Sequence, residues 1–198
     1  MEPVERASLN VPVVLGSIRK GRRSENAARL LAERVAALDH RTHVVDLREL
    51  HLPLYDEEEA SEGHANVATF RRLMNDADAV VWLTPEYNHG YTSVSKNALD
   101  YLRPELRRKP VAVCGLSGGL VGGARAVEQF KQVLIELHAV PIRDSVYFAD
   151  ARNLFDEAGR LLRPEIVTRV DEVLAELIWY ARALAWGRQH LPIPRRHR

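Results

Sequence analysis

Four short runs of apolar, mostly β-branched residues recur along the chain: Val11 to Gly16, Thr42 to Leu47, Ala79 to Thr84 and Pro110 to Gly115. None shows the alternation of a strand with one wet face, so each reads as a strand covered on both sides, the habit of a parallel sheet. Val140 to Phe148 offers a fifth, more polar candidate. Between the runs lie helical patterns at Arg23 to Leu38, Ala65 to Asp76, Ser93 to Leu102, Val121 to His138 and Glu165 to Trp186. Strand and helix alternate throughout, which selects an α/β fold over an all-β sandwich or an α+β arrangement.

A chain of 198 residues is long enough for one such domain with its own core. The expectation is a single domain over residues 1–198, with 1–10 and 191–198 as flexible tails, the second holding two prolines and four basic residues. Lys and Arg total 28 against 27 Asp and Glu, a net charge of +1 that gives no global pull toward nucleic acid or membrane. Any anion site must therefore be local. No stretch reaches the roughly 18 apolar residues of a membrane span and residues 1–10 have no apolar leader core, so a soluble, cytoplasmic protein is expected. The single cysteine, Cys114, falls inside an apolar run and reads as a buried structural thiol. The acidic run Asp56 to Glu59 reads as a solvated loop, and no His or Asp spacing points to a metal.

Ligands of an open parallel sheet sit beyond the carboxyl ends of its strands. The first such loop, Gly16 to Asn26, places hydroxyls at Ser17 and Ser24 and guanidinium groups at Arg19, Arg22 and Arg23 just before a helix. Hydroxyls, arginines and the unpaired N–H groups of a helix start together suit a phosphate. The plainer alternative makes the arginines surface residues and Ser24 a helix cap. Neither G-x-G-x-x-G nor G-x-x-x-x-G-K-[ST] is present, which excludes the usual dinucleotide and P-loop sites and favours a mononucleotide such as FMN. The loop after the third strand, from Thr84 onward, brings Pro85, a tyrosine and free backbone groups suited to a flavin ring.

Gly16-Ser17-x-Arg19 with Ser24 and Asn26, and Pro85-Glu86-Tyr87-Asn88 with Lys96-Asn97-Ala98-Leu99-Asp100, resemble the NAD(P)H-dependent FMN reductase family. Val45-Asp46-Leu47 leading to Leu52-Pro53-Leu54-Tyr55-Asp56, and Leu116-Ser117-Gly118-Gly119 with Gly122-Gly123, resemble it too. The likeness runs from about Val11 to about Phe148. It implies a flavodoxin-like three-layer sandwich: a five-stranded parallel sheet, order 2-1-3-4-5, with helices on both faces.

The resemblance further implies that Ser17, Arg19, Ser24, Glu25 and Asn26 hold the FMN phosphate, that Pro85, Glu86, Tyr87 and Asn88 line the isoalloxazine, and that Ser117, Gly118 and Gly119 lie near its pyrimidine side. Implied with these are NADPH or NADH as co-substrate, hydride transfer to the flavin in a ping-pong cycle, and an acceptor such as a quinone, free flavin, azo compound or metal ion. The cofactor carries the chemistry, so no triad or metal is expected. A homodimer or homotetramer is implied as well. A flavin-binding electron carrier or redox-responsive binding protein stays open as the alternative, although carriers of that kind tend to be acidic.

The chain departs from the family where Gly90, Thr92-Ser93 and Ser95 replace the usual Ser, Pro-Gly and Leu. Gly90 removes one hydroxyl bond, worth ~0.5 to 1.5 kcal/mol. Loss of the proline loosens the loop and bears on substrate access, while Thr92 or Ser93 is free to cap the next helix. Trp82 reads as core. Trp179 and Trp186, seven apart on the last helix, share a face that packs either on the sheet or on a second subunit. His89 reads as a loop residue or a proton donor to substrate, and Lys96 with Asp100 as a helix ion pair.

Overall fold

The computed structural model describes residues 8–56 and 63–192. Most of the acidic run and the outer parts of both expected tails lie outside the described residues. Within them, Leu9 is buried and Asn10 bridges to Arg41 beside the sheet.

The apolar runs form β1 (Val13–Leu15), β2 (Val44–Asp46), β3 (Val80–Pro85) and β4 (Pro110–Leu116). All pair in parallel, and their order β2-β1-β3-β4, with one more strand beyond β4, is the flavodoxin-like one. The fifth candidate run divides. Its ends become β5 (Val140–Pro141) and β6 (Tyr147–Phe148), both parallel to β4, whereas the connection between them keeps only Ile142 and Val146 bonded to β4 and leaves the sheet at residues 143–145.

Helices α1 (Ser24–Ala37) and α6 (Glu165–His190) cover one face; α3 (Ala65–Asn75), α4 (Ser93–Asp100) and α5 (Ala124–Glu136) cover the other. The strand pleat divides the core accordingly. Val81 and Leu83 join Ala27, Leu31 and Leu177 on the first side, while Val80 and Trp82 join Phe70, Leu99 and Phe130 on the second. A further single turn, α2 (Leu47–Leu50), follows β2 and is capped by Asp46, whose carboxylate accepts from Arg48 N at 2.9 Å. Its four residues are too few to show a period. Cys114 is fully buried, and burial pushes its thiol up to about 12, so it stays protonated. Among the described residues no helix is long and apolar enough to cross a membrane.

Candidate active site

A cleft of about 220 Å³ opens at the carboxyl edge of the sheet, between the loops after β1, β3, β4 and β6. Arg19, Ser24, Pro85, Glu86, Tyr87, Ser117 and Gly118, expected from sequence, all line it. Gly21, Arg22, Arg23, Leu116, Ala151 and Arg152 complete the lining.

The backbone enters the first loop through Gly16, where a side chain would collide with Ser95 Oγ and stand 2.8 Å from the Leu83 carbonyl. Only glycine passes there. Thr92 Oγ1 donates to the Gly16 carbonyl at 2.7 Å and lies 2.9 Å from Ser95 Oγ, which accepts from Trp82 Nε1 at 3.2 Å. These are the positions where the family's Pro-Gly and Leu are replaced. Thr92 also caps α4, accepting from Ser95 N, so a buried hydroxyl chain fixes the segment that the lost proline was expected to loosen.

The basic residues of the first loop divide by role. Arg22 is buried: its guanidinium takes both oxygens of Asp46, donates to Glu25 Oε1 at 2.9 Å and reaches the Ser17 carbonyl. Burial by itself would lower its pKa, but the bonds to Asp46 and Glu25 leave it raised and the residue permanently charged. Arg22 therefore braces the loop against β2. Arg19 and Arg23 have no carboxylate partner among the described residues, and Arg23 Nη1 donates to the Arg152 carbonyl at 2.5 Å. Ser24 does not cap α1. Its Oγ is buried with no hydrogen-bond partner at the helix's first turn, within the cleft lining. An orphaned buried hydroxyl costs about 1–3 kcal/mol unless something completes it. With two uncompensated arginines beside it and the helix N–H groups next to it, the group that completes it best is a phosphate oxygen. The donor set fits FMN's head group.

Four expected residues turn elsewhere. The exposed Glu25 carboxylate serves Arg22. Asn26 Oδ1 accepts from Arg29 at 2.9 Å, on the helix flank facing Gly159. Asn88 and His89, with φ of 49° and 66°, are the two central residues of a tight turn closed by Tyr87 and Gly90, whose N–H and C=O groups bond reciprocally at 2.9 and 3.0 Å. Gly119 lies just outside the lining, its N–H 3.3 Å from Ser117 Oγ. Ser17 is buried behind the lining and meets Tyr87 Oη at 3.3 Å, a bond that joins the first and third strand exits.

Glu86 lines the cleft with a carboxylate that is already satisfied. It takes Arg125 Nε at 2.7 Å and Arg125 N at 3.2 Å, and so ties the β3 exit to the start of α5. Burial works to raise its pKa, yet the bonds from Arg125 and the helix N–H groups hold it below the ordinary value. Opposite, Gly122 and Gly123 adopt φ of 60° and 91° and let α5 begin hard against β4, where a side chain on Gly115 would stand 2.6 Å from the Gly122 carbonyl.

Arg152 was absent from the expected site. A backbone ladder brings it in, Ala151 N donating to the Ser117 carbonyl at 3.0 Å, together with the Arg23 bond to its own carbonyl.

The sheet order and an arginine-lined cleft at its carboxyl edge define a flavodoxin-like α/β protein. Within that class, residues 9–153 match the family model of NADPH-dependent FMN reductase, and the chain belongs to that family, whose members are flavin-dependent oxidoreductases. The NAD(P)H-dependent FMN reductase of Pseudomonas aeruginosa is 36% identical over 139 residues, 67% of this chain and 75% of that protein. A quinone reductase of Pseudomonas putida is 32% identical over 173 residues, 82% of this chain and 91% of that protein. The flavoenzyme NAD(P)H:(acceptor) oxidoreductase FerB of Paracoccus denitrificans superposes with a TM-score of 0.76 at 24% identity, covering 88% of this chain and 98% of that one, a likeness of fold.

Proposed function

We propose that the protein is an FMN-dependent oxidoreductase that carries reducing equivalents from NADPH or NADH to a small-molecule acceptor, a quinone first among them. The buried, unpartnered Ser24 hydroxyl at the start of α1, in a cleft also lined by Arg19, carries this reading, because these donors suit a phosphate oxygen. A quinone is favoured by the likeness to the P. putida quinone reductase.

In the site, Arg19, Ser24 and the opening N–H groups of α1 hold the phosphate, Arg23 ties their loop to the Arg152 carbonyl, and Arg22 keeps it in place through Asp46. Pro85, Tyr87, Leu116, Ser117 and Gly118 wall the ring, and Glu86 fixes that wall by clamping Arg125. When bound, FMN would supply the redox chemistry that links the nicotinamide donor to the acceptor. The protein's share is binding, alignment and exclusion.

The reading includes a chain that works as one domain, a cytoplasmic setting where reduced nicotinamide is available, and a homodimer or homotetramer. Exposed Trp179 and Trp186 on the outer side of α6 support a subunit contact over packing on the sheet.

The purified protein is expected to be yellow, or to take up FMN stoichiometrically, and anaerobic mixing with NADPH or NADH should bleach the flavin band within seconds. A loaded protein that neither donor bleaches would instead be an electron carrier or flavin-responsive binding protein. A protein that takes up no FMN would end both readings.

A further inference from the structure

Three arginines without a carboxylate partner among the described residues line the cleft: Arg19 and Arg23 from the first loop, and Arg152 from the turn after β6. The remaining charges are compensated, Arg22 by Asp46 and Glu25, and Glu86 by Arg125. A flavin phosphate brings at most two negative charges, and Arg19 with the α1 N–H groups already lines its place, while the Arg23 guanidinium is turned to the Arg152 carbonyl. Arg152 is left over.

Its position separates it from that group. Asp150 N donates to the Gly119 carbonyl at 3.1 Å and Ala151 N to that of Ser117, so residues 150 to 152 run along the β4 exit. Strand β3 lies between β1 and β4, which puts the two exits two strand spacings apart, roughly 10 Å. Arg23 spans that gap to hold the Arg152 carbonyl, which anchors the backbone. The Arg152 side chain is exposed and lies over Gly118, its Nε 4.0 Å from where a Cβ would sit, so the glycine leaves it uncovered. Asp150, two residues before it, is engaged by Arg163 at 3.3 Å and by Asn153 at 3.1 Å.

From this anchored backbone, open guanidinium and surplus positive charge we infer that Arg152 binds a phosphate of the dinucleotide donor and is a specificity residue of the site. The inference rests on the function proposed above and extends it. A guanidinium suits either the bridging pyrophosphate, common to NADH and NADPH, or the 2′-phosphate that only NADPH carries.

The test uses oxidised, FMN-loaded protein titrated calorimetrically with two redox-inert probes, ADP-ribose and 2′-phospho-ADP-ribose, while flavin fluorescence gives the FMN affinity of the stripped protein. Arg152→Ala should weaken probe binding roughly tenfold or more, the range of a lost charge-assisted hydrogen bond. Arg152→Lys should restore part of it, FMN affinity should stay unchanged, and the difference between wild type and Arg152→Ala should shrink in high salt. Loss confined to the 2′-phospho probe assigns the 2′-phosphate, and equal loss for both assigns the pyrophosphate. Unchanged affinity for both probes, or a fall in FMN affinity instead, would overturn the inference. A protein that never takes up FMN fails at the loading step, which separates failure of the functional reading from failure of this one.

Discussion

At the amino end of the sheet, Lys109 Nζ donates to the Met74 carbonyl at 3.0 Å and to that of Asn75, and Arg188 donates to the Arg108 carbonyl at 2.7 Å. There too Asn10 N donates to Asp78 at 2.8 Å, and its side chain to the Asp76 carbonyl at 2.9 Å. At the carboxyl end, Arg19, Arg23 and Arg152 face the cleft without a carboxylate, and the Ser24 hydroxyl has no partner. Both ends belong to the same four strands and carry similar side chains. They differ in whether polar groups are completed from within, and this separates the end that stabilises the fold from the end built to receive something.

The most severe test is Arg22, which lies at the receiving end but is internally satisfied. Arg22→Ala should lower unfolding free energy by about 3 kcal/mol in denaturant titrations, because Asp46 is left partly buried and unpaired. A loss below half of that would place Arg22 with its exposed neighbours. Arg19→Ala should do the opposite. FMN affinity should fall by about 1.5–3 kcal/mol in fluorescence titrations, with the melting temperature of the ligand-free protein unmoved. A lowered melting temperature would erase the distinction between the ends.

A third effect, read through pH, is expected at Lys109. Burial, with Arg188 adding to it, pushes this ammonium from 10.5 down to about 8. The carbonyl bonds favour the charged form but do not offset the burial. Between those two values the unfolded chain holds a proton that the folded chain has released, so stability rises with pH across the window. Denaturant midpoints at its two ends should show the rise in the wild type and its loss in Lys109→Met.

How far the sequence announced all this depended on distance along the chain. β1, β3 and β4 were readable because central parallel strands are uniformly apolar, and α1 and α5 because their buried residues recur at helical spacing. β5 and β6 were merged because each has two residues, and what separates them is a loop whose Ile142 and Val146 are as buried as strand residues. The phosphate loop was visible as strand, glycine, hydroxyl, cations and helix in one stretch. The division of labour among its arginines was not, since Arg22 is set apart by Asp46, 24 residues away. Arg152 enters the cleft by a backbone ladder to a loop more than thirty residues upstream, which leaves no local pattern. Glu25, Asn26 and Asn88 fitted a motif, but the pull of Arg22, the pull of Arg29 and a two-residue turn take them elsewhere.

Trp82 has a practical meaning beyond packing. Its indole is wholly buried against Phe130 and joined through Ser95 and Thr92 to the carbonyl where the first loop begins, while Trp179 and Trp186 stand in solvent on α6. The protein therefore carries two classes of tryptophan, an interior one coupled to the loop and an outer pair on the face a second subunit would cover. A collisional quencher that reaches the outer pair in the single chain leaves a label-free reporter on the interior one.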